Sequence, residues 1–125
     1  AQTVRESGLD IAQLHGRETG ADFPQGVRVW KAVRMGASFD AALLATYPAE
    51  AVLLDGPANG VPFDWTLAAG ASKKVIIAGG LDAGNVRRAI EQARPWGVDA
   101  CSCIESSLGK KDHRKMAEFL KAALT

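Results

Sequence analysis

An aspartate that closes a short apolar run is the first candidate for chemistry in this sequence. Asp55 follows Ala51-Val52-Leu53-Leu54 and precedes the turn residues Gly56-Pro57. A carboxyl group at the mouth of a buried strand is a candidate general acid or base, because an apolar environment favours the protonated form of a carboxyl group. The same side chain could instead cap the turn. The residues alone leave both roles open.

Two glycines and a hydroxyl-bearing segment are typical of a phosphate site. Gly79 and Gly80 directly follow the β-rich run Lys74–Ala78, and a glycine pair there lets backbone N–H groups approach an anion. The last β-rich run ends in Cys101-Ser102-Cys103. In (βα)8 barrels, the loops after the seventh and eighth strands often hold phosphate jointly. Together the two segments predict a phosphate site, with a plain strand-to-helix turn as the alternative for the glycines.

Three more polar residues stand within or at the end of predicted strands. Gln13 and His15 are two residues apart and therefore share a face. A histidine at a strand end is more often a hydrogen-bonded rim residue than a catalyst. Asp99 falls within a predicted strand, where an unpaired charge is costly. We expect it to pair with Lys31 on another inward-facing strand or to meet a ligand.

A series of strand–helix units must position these residues. Helix-like stretches separate five β-rich runs, and this alternation is the rhythm of a parallel α/β sheet. It admits either a doubly wound open sheet or a barrel, and in both the chemistry gathers at the carboxyl ends of the strands. The five runs are Leu9–Leu14, Val27–Val33, Ala51–Leu54, Lys74–Ala78 and Val98–Ser102.

Apolar spacing predicts the helices. A stripe of Val86, Ala89, Ile90 and Ala93 follows the cap candidates Asp82 and Asn85 and stops before Pro95. A second stripe predicts a core-facing helix at the C-terminus. We also expect helices after Ser38, after Phe63 and, least clearly, after His15, while residues Gln2–Ser7 resemble a helix tail that Gly8 ends. The second stripe is Met116, Phe119, Leu120, Ala123 and Leu124.

Composition narrows the class of protein. The 125 residues are the size of one domain, 1–125, and a hydrophobic content of 47% supplies a core. A net charge of +1 with scattered basic pairs argues against nucleic acid, and no apolar run reaches the roughly 20 residues of a membrane span. Cys101 and Cys103 are the only cysteines. On one strand face they are poorly placed for a mutual disulfide, so we expect free thiols and a cytoplasmic protein.

Several segments together resemble one family of enzymes. Gln13-Leu14-His15-Gly16, Phe63-Asp64-Trp65 and Ile77-Ala78-Gly79-Gly80-Leu81 occur in this order, followed by Asn85-Val86, Gly97-Val98-Asp99 and Glu105–Asp112. In order and spacing these segments resemble the phosphoribosylanthranilate isomerases of tryptophan biosynthesis. The resemblance implies an incomplete (βα)8 TIM barrel of α/β class, with parallel strands corresponding to units four to eight.

The resemblance also implies a reaction and its residues. The family converts N-(5′-phosphoribosyl)anthranilate to an aminodeoxyribulose phosphate by an Amadori rearrangement, with no metal or cofactor. Asp55 corresponds to the general acid that opens the furanose ring. The loops of Gly79–Gly80 and Ser102–Cys103 correspond to the phosphate site, with Asp99 near the substrate. Gln13 and His15 correspond to residues that line the mouth of the barrel and make secondary contacts with the substrate.

The sequence departs from the family pattern in ways that bear on activity. The family's general base, a cysteine on the first strand, and its arginine after the second strand have no counterpart here. We therefore expect the chain alone to be inactive, and its open sheet edges to favour a companion chain or self-association. Cys103 stands where the family has glycine, and Leu108 where proline is usual. The alternatives are a non-catalytic partial barrel that binds phosphate or a companion chain, and another phosphosugar barrel enzyme such as an epimerase.

Overall fold

Five parallel strands form a single sheet in the computed structural model, which describes residues 6, 8–16, 23–36, 41–58, 61–69 and 71–125. Each strand pairs with the next along the chain, in the order β1-β2-β3-β4-β5. This confirms the predicted parallel α/β arrangement of the (βα)8-barrel type. The strands are β1 Ile11–Leu14, β2 Arg28–Arg34, β3 Ala51–Asp55, β4 Lys74–Ile77 and β5 Gly97–Val98.

Helical segments lie between successive strands from β2 to β5. The α-helices are α1 Ala41–Leu44, α2 Val86–Ala93 and α3 His113–Leu124, and 3₁₀ helices occupy Trp65–Ala68 and Ser102–Ile104. An antiparallel hairpin of β6 Glu105–Ser107 and β7 Lys110–Lys111 precedes α3. Within the described ranges, no helix is long and apolar enough to cross a membrane. The helix predicted after Ser38 is confirmed by α1. Residues 17–22 of the helix predicted after His15, residues 39–40, and residues 2–5 and 7 of the predicted helix tail lie outside the described residues.

The two faces of the sheet bury different sets of side chains. Val52, Leu54, Val75 and Ile77 pack with Val86, Ala89 and Ala93 of α2 in the larger core. Those three α2 residues belong to the predicted apolar stripe, whose core-facing role is confirmed. Ala32, Leu53 and Ile76 lie on the opposite face in a smaller core. Both faces are therefore apolar, as expected for a parallel sheet.

Lys31 is a buried cation on the helix-packed face, with 2% of its surface exposed. Its register partner is Val52, so the expected inward orientation is wrong. Its ammonium group donates to the carbonyl oxygens of Gly16 at 2.7 Å and Ala32 at 3.2 Å and lies 5.8 Å from the centre of the Tyr47 ring. Asp99 is exposed on the far side of the sheet. The predicted Lys31–Asp99 salt bridge is therefore not formed.

The fifth strand is shorter than the predicted run Val98–Ser102. The amide groups of Trp96 and Asp99 still donate to Val75 and Ile77 of β4, but β4 then ends and leaves no strand to pair with. Cys101 and Ser102 therefore leave the sheet, and Cys101 directly precedes a 3₁₀ helix. The expectation that both cysteines lie on one strand is wrong, whereas both are free thiols as predicted.

The helix predicted after Phe63 is only a 3₁₀ turn. Asp64 caps it by accepting a hydrogen bond from the Thr66 amide, and Ala69 returns to an extended conformation.

The C-terminal helix α3 forms as predicted. Asp112 is its N-cap, and the hydrogen bond from the Lys115 amide lowers the pKa of the Asp112 carboxyl group. Its apolar stripe reaches the core less completely than predicted. Phe119 is buried, but Leu120 and Leu124 are 54% and 84% exposed.

A polar and aromatic network closes the amino ends of β2 to β4. The guanidinium of Arg28 donates to both carboxylate oxygens of Glu50, and the Trp30 indole donates to the same carboxylate. These hydrogen bonds, from Arg28 first and Trp30 second, hold the pKa of Glu50 below its ordinary value. The ring of Trp96 meets Trp30 edge-on, and the Lys74 ammonium lies 5.1 Å from the Trp96 ring centre. Catalytic residues of such folds gather at the other end of the strands.

Candidate active site

All eight predicted site residues line one cavity of about 480 Å3 at the carboxyl edge of the sheet. Gln13 and His15 come from β1 and the residue after it, whereas Asp99 and Ser102 follow β5. Because β1 and β5 are the two outermost strands of the sheet, their residues can share a cavity only if the sheet curves, as in a barrel. The predicted residues in the cavity are Gln13, His15, Asp55, Gly79, Gly80, Asp99, Ser102 and Cys103.

Asp55 is the last residue of β3, and its carboxyl group is held at one oxygen. Oδ1 accepts a hydrogen bond of 2.8 Å from the Gly56 amide. Oδ2 lies 4.0 Å from the guanidinium of Arg34, the last residue of β2, while another nitrogen of Arg34 donates to the Pro57 carbonyl. The Asp55 side chain is 26% exposed. The carboxyl group is therefore oriented by its neighbours and still reachable by a ligand.

Gly79 and Gly80 form the turn after β4 in a conformation that favours glycine. Their φ angles are 85° and 68°, in the left-handed region that costs other residues energy. A methyl group built at Gly79 would lie 2.4 Å from the Gly56 nitrogen and 2.5 Å from Oδ1 of Asp55. One built at Gly80 would lie 2.6 Å from the Pro62 nitrogen. The glycine turn is therefore packed directly against the loop that carries Asp55.

A compact set of hydrogen bonds joins this turn to the start of α2. Asp82 accepts from the amides of Gly84 at 2.8 Å and Asn85 at 2.9 Å. Asn85 accepts from the Asp82 amide and donates to the Gly80 carbonyl, both at 2.8 Å. Both residues were candidate helix caps. Asn85 precedes the helix as predicted, but its side chain bonds back to the glycine turn and not to the helix.

A lysine that the residue pattern did not single out, Lys111, contacts two of the residues that line the β5 side of the cavity, Cys101 and Glu105. The ammonium group of Lys111 lies 3.1 Å from the Cys101 carbonyl oxygen, 3.6 Å from its Sγ atom and 3.3 Å from Oε2 of Glu105. Lys111 belongs to the hairpin after β5. In the sequence it is part of Lys110–Lys111, one of several scattered basic pairs, and nothing marks it as a site residue. Hairpin pairing brings it beside Cys101, ten positions away in the chain.

The hairpin tip also extends the cavity. Leu108 lines the cavity and is 99% exposed, and the adjacent Gly109 lines it as well. The Glu105 side chain fixes this tip by accepting from the Gly109 amide at 3.0 Å. The hairpin tip therefore places an exposed apolar side chain at the edge of the cavity.

The two thiols of the cavity should differ in reactivity. Cys101 is exposed, whereas burial raises the pKa of Cys103. Alkylation proceeds through the thiolate, so we expect iodoacetamide at neutral pH to modify Cys101 first and Cys103 more slowly. Peptide mass spectrometry over a time course measures both rates, and a Cys101→Ser variant should retain only the slow reaction. Equal rates at the two thiols would contradict this placement.

Comparisons with known proteins match this chain over nearly all its length. The family model for N-(5′-phosphoribosyl)anthranilate (PRA) isomerase matches residues 1–122. The N-(5′-phosphoribosyl)anthranilate isomerase of Solibacter usitatus is 56% identical over 98% of this chain and 64% of that protein. That of Magnetococcus marinus is 42% identical over 98% of this chain and 62% of that protein. The chain thus spans just under two thirds of the length of these curated relatives.

Solved structures agree with the sequence relatives. The phosphoribosyl anthranilate isomerase of Thermus thermophilus superimposes with a TM-score of 0.86 at 27% identity, covering 98% of this chain and 64% of that one. A phosphoribosyl anthranilate isomerase solved with reduced 1-(o-carboxyphenylamino)-1-deoxyribulose 5-phosphate gives a TM-score of 0.82 at 32% identity, covering 98% of this chain and 63% of that one. Both superpositions include the strands that form the cavity. The chain therefore belongs to the family of N-(5′-phosphoribosyl)anthranilate isomerases.

Proposed function

We propose that this chain contributes the general acid and the phosphate-binding side of a phosphoribosylanthranilate isomerase active site. The observation that carries the proposal is the contact between the two parts. Asp55 and the Gly79–Gly80 turn line one cavity, and a methyl group at Gly79 would lie 2.5 Å from the Asp55 carboxylate. A phosphorylated sugar held by the turn would bring its ring within reach of the acid.

The chemistry assigned to Asp55 is proton donation. The proton of its carboxyl group passes to the furanose ring oxygen as the bond between that oxygen and the anomeric carbon breaks. The ring opens to a Schiff base of the anthranilate nitrogen, and loss of the proton on C2′ to a general base begins the rearrangement to the amino ketone. A positioned general acid contributes about 10²- to 10⁴-fold to such a step.

The phosphate group is assigned to the turn after β4 and the segment after β5. Left-handed glycines expose backbone N–H groups, and α2 begins a few residues later with its positive end. Ser102 adds a hydroxyl group, and Cys103 stands where the family has glycine. The added side chain narrows this part of the site. We therefore expect phosphate affinity to depend chiefly on Gly79 and Gly80.

The general base is not assigned to any described residue of this chain. Family resemblance assigns it to a cysteine on the first strand of the barrel, whereas Cys101 and Cys103 lie after β5. In the described part of the chain, β1 and β5 each pair with one strand. These edges are the proposed place for a companion segment, and self-association through them stays a prediction.

An isomerase assay with purified polypeptides tests the proposed function. We expect no turnover by the 125 residues alone, and turnover when the part of the Solibacter usitatus relative that they do not cover is added in trans. The recovered activity should depend on Asp55. Asp64→Asn is the matched control, because Asp64 is exposed and caps a turn outside the cavity. Turnover by the 125 residues alone would require a base among them, and a mixture indifferent to Asp55→Asn would refute the assigned acid.

A non-catalytic partial barrel is the second candidate function. It is favoured by the two edge strands that have a single partner in the described part of the chain. Phosphate binding without recovery of isomerase activity in the mixture would support this candidate over the enzyme. The epimerase alternative is set aside, because the family match covers residues 1–122.

A further inference from the structure

Asn85 lies ahead of α2 and spans the turn that follows β4. Its amide nitrogen donates to the Gly80 carbonyl at 2.8 Å, and its amide oxygen accepts from the Asp82 amide at 2.8 Å. Asp82 in turn accepts from the amides of Gly84 and Asn85. The two side chains thus tie residues 80 to 85 into a single rigid unit. Neither is among the residues that line the cavity.

The bond to Gly80 fixes the direction of one peptide group at the edge of the cavity. A trans peptide is planar, so its carbonyl and its N–H point in opposite directions. The Gly80 carbonyl is drawn toward Asn85, and the N–H of Leu81 therefore points away from it. Leu81 lines the cavity. Asn85 consequently determines where this backbone donor is aimed.

The same bond also holds the turn against the acid. A methyl group at Gly80 would lie within 3.0 Å of the Val61 carbonyl carbon and 2.6 Å from the Pro62 nitrogen, so these backbones are already in contact. Gly79 is in equally close contact with Gly56 and Asp55. A shift of the turn away from Asn85 would therefore move the backbone that supports the Asp55 carboxylate.

We propose that Asn85 is a positioning residue that aims the backbone donors of the glycine turn at the substrate's phosphate and keeps that turn seated against Asp55. The inference rests on the proposed function of the turn as a phosphate site. Asn85 does not itself touch the substrate. It acts through the Gly80 carbonyl, and its side chain is needed because both a donor and an acceptor must be presented at once.

The test replaces Asn85 in the 125 residues mixed with the complementary part of the Solibacter usitatus relative, and uses inorganic phosphate as the probe. Asn85→Ser keeps a residue that favours the start of a helix, but its hydroxyl is too short to bridge Asp82 and Gly80. We expect the dissociation constant of phosphate, from calorimetry and from competitive inhibition, to rise about tenfold or more. The KM of the substrate should rise in parallel, with a smaller fall in kcat. Asn85→Ala should give the same phenotype.

The control is Asp112→Ala, which removes the cap of α3, a bond of 3.0 Å to the Lys115 amide. It should lower the midpoint of thermal unfolding without changing phosphate affinity. Equal loss of thermal stability in the Asn85 and Asp112 variants with unchanged phosphate affinity in both would reduce Asn85 to a structural cap and overturn the proposal. If the unaltered protein fails to bind phosphate, the proposed function fails. If it binds phosphate and Asn85→Ser binds equally well, only the inference about Asn85 fails.

Discussion

Under the proposed function, asparagine in place of Asp55 should lower the kcat of the mixture of the 125 residues with the complementary part of the Solibacter usitatus relative by about 10²- to 10⁴-fold. Asparagine has the same shape, and its carbonyl oxygen can still accept the hydrogen bond from the Gly56 amide that Oδ1 accepts now. It has no acidic proton to give to the ring oxygen. Because the proposed function assigns phosphate binding to the glycine turn, substrate binding should survive. Initial rates over a range of substrate concentrations should therefore show a large loss in kcat at a nearly constant KM.

Two companion variants make the Asp55 result specific. Asp64→Asn makes the same chemical change at an exposed carboxyl group outside the cavity and should leave kcat unchanged. Asp55→Glu keeps the acidic proton but moves it by one methylene group. Its kcat should lie between that of Asp55→Asn and that of the unaltered chain. A kcat for Asp55→Asn within about twofold of normal would remove Asp55 from the mechanism, because general acids contribute far more than that.

Alanine in place of Gly79 should lower the stability of the protein and at the same time displace the Asp55 carboxyl group. The left-handed conformation costs alanine about 1–2 kcal/mol, and forcing a methyl group into packed backbone costs about 1–3 kcal/mol more. The methyl group would lie 2.4 Å from the Gly56 nitrogen, so the Asp55 loop or the turn must move. The free energy of unfolding, measured in denaturant, should fall by about 2–5 kcal/mol. The isomerase activity of the remaining folded protein should also fall.

Gly26→Ala separates the two causes. Gly26 has nearly the same φ angle, 76° against 85°, but a methyl group there would meet nothing within 4 Å. Only the conformational cost of about 1–2 kcal/mol should appear, and activity should be normal. If Gly79→Ala and Gly26→Ala lose the same stability and Gly79→Ala stays fully active, the close packing of the turn against Asp55 has no functional consequence.

The position of the candidate site was predictable because it depends on strand polarity. Residues that end parallel strands meet at one edge of the sheet, and this rule predicts that Asp55, Gly79 and Gly80 lie together. The α2 stripe was predictable for a similar reason, since the spacing of Val86, Ala89 and Ala93 makes one apolar face. Both predictions use only local periodicity and chain order.

Features that depend on the neighbours of an element were not predictable. Alternation along β2 puts Lys31 and Ala32 on opposite faces, but both faces are apolar, so the pattern cannot say which one packs against helices. The length of β5 depends on where β4 ends, and Cys101 left the predicted strand for that reason. Lys111 reaches Cys101 only because a hairpin folds between them. Each of these outcomes is decided by contacts between segments distant in the chain.

The three tryptophans give the molecule separate optical reporters for its two packed layers. Trp65 is buried in the helix-side core, where within the described part of the chain its indole N–H meets no acceptor, and the Arg88 guanidinium lies 5.6 Å from its ring centre. Trp30 and the 56% exposed Trp96 touch each other at the amino end of the opposite face. Emission from Trp65 therefore reports the separation of the helices from the sheet. Emission from the Trp30–Trp96 pair reports changes in packing on the opposite face of the sheet. Variants that retain only Trp65, or only the Trp30–Trp96 pair, would show in which order the two faces of the sheet lose their packing during unfolding.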